Sequence, residues 1–150
     1  MSFYDYENIE HLIKFKYHKF GSRVFKVLAE NSFKVFAKNY TYKAFVLPVD
    51  DRVKRGYSHT AILANSMKST FLTPLFSTLH ATNDITYAGK SLEFRLNNPR
   101  NFKYTGPKNI DVILVDDVLT TKTTLNEAKA LLSKYGVNVV LSVVLANLKG

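Results

Sequence analysis

Val112-Ile113-Leu114-Val115-Asp116-Asp117-Val118-Leu119-Thr120-Thr121-Lys122-Thr123-Thr124-Leu125 decides the reading of this chain. Four apolar residues suit a buried strand, two carboxylates follow, and a hydroxyl-rich turn leads into a helical pattern. The first turn of a helix carries unpaired N–H groups and a partial positive charge, so a turn placed there cradles a phosphate. The hydroxyls of Thr120, Thr121, Thr123 and Thr124 add donors. Two carboxylates before such a turn do not bind the phosphate itself. They suit sugar hydroxyls, or a Mg²⁺ ion held against further phosphates. An ordinary strand-to-helix loop has the same order, and Thr124-Leu125-Asn126-Glu127 fits a capping box. The full string in its strand–turn–helix setting favours a site for a phosphorylated sugar.

Outward from this string the pattern alternates. Ile9, Leu12, Ile13 and Tyr17 have helical spacing, with Gly21 as the expected stop. A second helix is expected from Ser22, with Phe25, Leu28, Ala29 and Phe36 on one side. Ala44–Leu47 reads as a short strand ending at Pro48. Ile62, Leu63 and Met67 mark another helix, and Leu75–Leu79 a weaker strand. Residues 83–109 are polar, basic and irregular, a length that suggests function. Leu125, Ala128, Leu131, Leu132 and Tyr135 form the buried face of a helix closed by Gly136, and Val139–Ala146 a last strand. Alternating strands and helices imply one α/β domain with a largely parallel sheet flanked by helices. Its helical N-terminal segment covers 1–40 and its core 41–150. Ligands of such sheets sit at the carboxyl ends of the strands. Loop 49–58 and loop 116–124 should therefore meet, with 83–109 folding over both and Arg52, Lys54 and Arg55 near the phosphates.

The chain has 150 residues, enough for one domain with a real core. It has no cysteine, which excludes disulfides and Cys-ligated zinc. The first residues show no secretory signal, and Val139–Ala146 is too short to span a bilayer, so a soluble protein is expected. The net charge is +9. Residues 1–44 hold eight Lys/Arg against four acids, 45–109 nine against four, and 110–150 four against four. The excess lies before the phosphate turn. It suits nucleic acid, polyphosphate or anionic lipid, or a solubilising surface. His11, His18, His59 and His80 show no metal-ligand spacing. His59 has no visible base partner and reads as structural. Phe15-Lys16-Tyr17-His18-Lys19-Phe20 mixes rings and cations, as single-strand binders do. Buried rings under snorkelling lysines are the simpler expectation.

At Asp116-Asp117 and Thr120-Thr121 the chain resembles the phosphoribosyltransferase family, whose signature is an apolar strand, two acids, two variable residues, Thr-Thr-Gly and a helix. It looks most like the C-terminal domain of the ComF branch, which serves DNA uptake in naturally competent bacteria. Phe15-Lys16-Tyr17-His18 resembles the aromatic-basic start of that domain. Pro48-Val49, Arg55-Gly56-Tyr57 and Leu63-Ala64 resemble its second motif, and Ser91, Arg95, Asn98 and Phe102 its basic segment. The four-cysteine zinc module that commonly precedes the domain is absent from this sequence, which is either one domain of a longer protein or comes from a lineage that lacks the module.

The resemblance implies a type I phosphoribosyltransferase-like fold and binding of phosphoribosyl pyrophosphate with Mg²⁺. It implies pentosyl transfer to an unknown acceptor. Asp116 and Asp117 would be the catalytic and metal-binding acids. Thr120, Thr121, Lys122, Thr123, Thr124, Arg52, Arg55 and Arg95 would bind the sugar phosphate and pyrophosphate, with Lys90 as an alternative to Arg95. Implied partners are single-stranded DNA and competence-machinery proteins, in the cytoplasm at the inner face of the membrane. A non-catalytic module that binds single-stranded DNA or senses phosphoribosyl pyrophosphate is the alternative. Lys122 stands where the family has Gly, which there permits positive φ and close backbone approach. Asp50 and Asp51 stand where the family has Pro and neutral or basic residues, and Ser58-His59 replaces Asn-Gln. These changes bear on turnover more than on binding.

Overall fold

The apolar run at Val112 forms the middle strand of a five-stranded sheet. A computed structural model describes residues 1–50, 52, 53 and 56–149. Asp51, Lys54, Arg55 and Gly150 lie outside the described residues, and with them the roles expected of Lys54 and Arg55. The elements run β1 (Ser2–Asp5), α1 (Tyr6–Ile13), a 3-10 turn (Lys14–Tyr17), α2 (Gly21–Glu30), α3 (Phe33–Asn39), β2 (Ala44–Pro48), α4 (His59–Ser66) and β3 (Leu72–Pro74). They continue through β4 (Leu79–Ala81), α5 (Leu92–Asn97), β5 (Phe102–Tyr104), β6 (Asp111–Leu119), α6 (Thr123–Ser133) and β7 (Asn138–Asn147).

The strand order is β1-β7-β6-β2-β3, and every pairing in it is parallel. Successive strand residues face opposite sides. Val46, Ile113 and Val115 join Ile9, Ile13, Phe25, Phe33, Leu63 and Met67 in one cluster beneath α1–α4. Leu47, Val112 and Leu114 join Leu79, Tyr104, Leu125, Ala128 and Leu132 in the other, beneath α6 and the β4–β5 ladder. A parallel sheet covered on both faces requires continuous apolar strands, which is why Val112–Val115 does not alternate. Burying one such Phe or Leu stabilises by roughly 1.5–3 kcal/mol. These two clusters therefore fix the frame on which the loops sit.

Several expectations are corrected. The first helix stops at Ile13 and continues as the 3-10 turn, and Gly21 opens α2 rather than ending α1. Phe36 belongs to a separate helix, α3. The weak strand at 75–79 splits: Leu72–Pro74 pairs with β2, and Leu79–Ala81 pairs antiparallel with β5. β1 was not legible, because an edge strand of four residues with two apolar side chains leaves almost no pattern. Residues 83–109 contain α5 and β5 and are ordered by polar bonds. Asn83 Nδ2 donates to Tyr87 Oη at 2.9 Å and to Pro99 O at 2.6 Å, and Tyr87 Oη donates to Asn98 O at 2.8 Å. Gly136 does close α6, at φ 69°. Among the described residues no helix is long and apolar enough to cross a membrane.

Gly21 is buried where a Cβ would collide with the Phe15 carbonyl and the Tyr57 hydroxyl. Gly21→Ala must push the 3-10 turn and the Tyr57 side chain away from the start of α2. It is expected to cost about 1–3 kcal/mol, the usual penalty for overpacking; a urea titration against the unaltered chain measures it.

Candidate functional site

β2 and β6 are neighbours, but the chain leaves them in opposite directions: β2 leads through α4 outward to β3, and β6 leads through α6 to β7. Such divergence opens a crevice at the carboxyl ends of the two strands. The expected acids and the Thr turn follow β6 on one side of it, and Val49 and Asp50 follow β2 on the other.

β6 does not end before the acids but runs through them to Leu119. Asp116 and Asp117 therefore project to opposite sides of the strand, as alternation demands. Asp117 faces the helical layer with only 7% exposure. Its Oδ2 accepts from Lys16 Nζ at 2.7 Å and lies 3.3 Å from His59 Nε2, while Oδ1 accepts from Val118 N at 2.7 Å. Burial pushes this carboxyl up, but the Lys16 charge and His59 together outweigh it and hold it well below the usual range. Burial works against the Lys16 ammonium too, and Asp117 overrides it. Asp116 Oδ1 accepts from Asp117 N at 2.8 Å. Burial, then the adjacent Asp117 charge, push Asp116 well above the usual range; the Arg100 charge acts the other way. His59, expected to lack a partner, has one in Asp117.

The hydroxyl turn is built for its place. Lys122 sits at φ −74°, so the turn needs no left-handed residue and the exchange of Gly for Lys is accommodated in the backbone. Lys122→Gly is accordingly expected to change stability by no more than a few tenths of a kcal/mol, the usual difference at a helix cap; paired thermal melts measure it. The capping box does not form: Glu127 instead accepts from Arg100 N at 2.7 Å. Among the described residues no side chain caps α6. Beside that helix start Thr121 Oγ1 and Thr123 Oγ1 share a hydrogen bond at 2.7 Å. Thr124 enters the helix behind them.

Arg95, expected to fold over the site, does reach the turn. It is 7% exposed, donating to Thr120 Oγ1 at 2.5 Å, Tyr87 O at 3.0 Å and Lys90 O at 3.2 Å. Burial, then the Arg100 charge, lower its pKa. Lys90 itself lies over the Phe94 ring, at 5.1 Å. Arg100 was not singled out from the sequence, because it sits in no motif. Its guanidinium stacks 3.9 Å from the Tyr87 ring, and its Nη1 is buried with no partner among the described residues. Its charge bears on both Asp116 and Arg95.

Loop 49–58 is nailed down at its start. Asp50 adopts φ 52°, and its carboxylate accepts from Ala81 N at 2.9 Å and from Arg52 Nε at 2.8 Å. Arg52 also donates to Asn83 O at 2.7 Å and pairs with Asp84 at 3.2 Å. Asp50 is thus neutralised within the chain rather than left to repel an anion, and Arg52 is committed to two acids.

The resemblance implies Mg²⁺ on both acids. The two carboxylates do not converge, and Asp117 has both oxygens engaged. Among the described residues no three His, Cys, Asp or Glu side chains cluster to hold a metal. The pair does not fit an ion shared between its carboxylates. Two clefts, of 690 Å³ between α2 and α4 and of 340 Å³ beside β1 and α3, lie away from the Thr turn.

The rings of the 15–20 segment are not buried as expected. Phe15, Tyr17 and Phe20 are 39%, 47% and 60% exposed, because the 3-10 turn leaves the apolar stripe of α1. Arg23 lies over the Phe20 ring at 5.8 Å.

No protein-family model and no curated protein matches the chain. Among solved structures it is similar to the allosteric regulatory enzyme of purine biosynthesis, at 16% identity and a TM-score of 0.51, over 81% of this chain and 26% of that one. It is also similar to a hypoxanthine phosphoribosyltransferase from Staphylococcus aureus (18%, TM-score 0.46, 84% of this chain and 62% of that one). A third is adenine phosphoribosyl transferase from Trypanosoma brucei (17%, TM-score 0.48, 83% and 52%). The chain thus spans less than two thirds of each. At these identities the likeness is one of fold, and the fold is α/β, type I phosphoribosyltransferase-like.

Proposed function

We propose that this chain binds phosphoribosyl pyrophosphate in the crevice between β2 and β6, with the 5-phosphate at the mouth of α6. The observation that carries the reading is that mouth: a helix start without a side-chain cap, two coupled Thr hydroxyls, and a buried Arg95 bracing Thr120. Asp116 meets the ribose hydroxyls, whose donors relieve a half-buried, partly desolvated carboxylate. Arg100 and Lys122 supply positive charge toward the phosphates. Mg²⁺ belongs to the ligand and arrives on its pyrophosphate.

The activity that follows is pentosyl transfer. A nucleophile attacks C1 of the ribose, the bond to pyrophosphate breaks, and the ring becomes cation-like as charge builds on the leaving group. The protein orients and neutralises, with little covalent work. The wider role is that of a ComF-like protein acting in the cytoplasm, at the inner face of the membrane, in DNA uptake. Calorimetric titration with phosphoribosyl pyrophosphate, followed by pyrophosphate release across a panel of bases, tests it. Binding with release supports an enzyme, binding without release a sensor, and absence of binding removes the reading.

A second reading has its own observation. The exposed Phe15 and Phe20 rings stand beside Lys14, Lys19 and Arg23, a surface on which single-stranded bases stack while cations meet phosphates. Anisotropy of a labelled oligo-dT should fall steeply with added salt as counterion release loses its advantage. No binding at low salt removes this reading.

A further inference from the structure

We propose that Lys16 is a built-in counter-cation for Asp117, a positioning residue that occupies the seat a divalent ion would take at that carboxylate and makes the N-terminal turn part of the site. The proposal rests on the sugar-phosphate reading of the acid pair and deepens it.

The geometry is specific. Lys16 Nζ stands 2.7 Å from Asp117 Oδ2, with the two side chains only 20% and 10% exposed. The partners are 101 residues apart in sequence, so the contact exists only because the fold brings the N-terminal turn to the end of β6. That turn is locked on several sides. Tyr57 Oη donates to Lys16 O at 2.9 Å, His18 N to Phe15 O at 2.9 Å, and Gly21 N to His18 O at 3.0 Å. Gly21 leaves no room between Phe15 O and the Tyr57 hydroxyl. Tyr57 and His59 come from the same short stretch before and at the start of α4, and both close on this corner. Lys16 and His59 thus close on Asp117 together, with Tyr57 holding the Lys16 backbone in place.

The consequence follows from coordination chemistry. Mg²⁺ and ions like it demand short, nearly octahedral oxygen contacts and give up water reluctantly. At Asp117 one oxygen is taken by a backbone N–H, and the other has an ammonium at hydrogen-bond distance. A divalent ion there would face that ammonium at close range in a poorly solvated corner, where like charges repel strongly. Lys16 carries its charge on a tether that the fold has already desolvated. An ordinary structural ion pair would do the same for stability, and buried pairs contribute little net stability. The position on the acid pair of the crevice is what assigns Lys16 a role in ligand geometry.

The test uses the full chain and two probes, ribose 5-phosphate and Mn²⁺. The unaltered protein should bind ribose 5-phosphate equally in chelator and in millimolar Mn²⁺. Mn²⁺ alone should not selectively broaden the amide signals of Asp117 and Val118. Lys16→Met should weaken ribose 5-phosphate binding about tenfold in chelator, the scale of one lost charge-assisted contact. It should recover affinity with Mn²⁺, and Lys16→Arg should need no metal. Binding by the unaltered protein only with Mn²⁺, or selective broadening at Asp117, overturns the proposal and leaves the sugar-phosphate reading standing. No binding of ribose 5-phosphate in either condition overturns that reading instead. Should Lys16→Met not fold, the two measurements on the unaltered protein still decide.

Discussion

Asp117→Asn is expected to lower folding stability by about 3 kcal/mol, whereas Asp116→Asn should leave stability unchanged or raise it. The first substitution removes the counter-charge of a mostly buried ammonium and leaves it uncompensated, which is the costly way to break such a pair. The second removes a half-buried carboxylate whose desolvation and proximity to the Asp117 charge are only partly offset by the charge of Arg100. Two adjacent residues of one type thus respond in opposite directions. The pH dependence separates them further. The carboxyl of Asp117 is held below its ordinary range, so its pairing is fully present above the unfolded value of about 3.9 and is lost as pH falls through the folded value. Asp116 is raised, so its penalty grows as pH climbs from about 3.9 and is complete above its folded value. Melting temperature against pH for both variants measures this. Equal losses in the two would show that the acids share one environment.

Arg95→Met should be nearly as damaging to the fold and more so to binding. It leaves the Tyr87 and Lys90 carbonyls and the Thr120 hydroxyl without their donor, at roughly 3 kcal/mol for a buried charged hydrogen-bonding group. Without that brace the Thr turn is no longer fixed before ligand arrives. Affinity for ribose 5-phosphate should then fall about tenfold or more. Arg95→Lys is the informative companion. It keeps the charge but cannot reproduce the three-pronged fork, so it should resemble Met more closely than Arg. Denaturant titrations and calorimetry on both variants are the measurements; a Lys variant equal to the unaltered protein would mean that charge alone matters.

What the sequence made legible was local. The run Val112–Val115 read as a buried strand, and the hydroxyl turn before a helical stripe as a helix start, and both are so. Pro48 is the last residue of β2, close to where the sequence placed the end of that strand, though it still pairs with Val115. What stayed hidden depended on distant partners. Glu127 left its capping role for an amide 27 residues away. Asp117 found Lys16 across 101 residues, and no pattern in either neighbourhood foretold it. Loop 83–109 looked irregular because its order comes from Asn83, Tyr87 and Arg95 bonding to backbone carbonyls, and such bonds have no periodicity. The rings near Phe15 are exposed for a related reason. The helical stripe of α1 stops where Gly21 and Tyr57 hold the next residues in a tighter turn.

The central claim is that the start of α6 receives a sugar phosphate, and amide chemical shifts read it most directly. On titrating ribose 5-phosphate into the labelled chain, the amide signals of Thr121, Lys122, Thr123, Thr124 and Leu125 should move together and saturably, with those beside Asp116 following. Saturable shifts confined to the α2–α4 cleft or to the Phe15–Phe20 surface, with the α6 amides unmoved, would contradict the account.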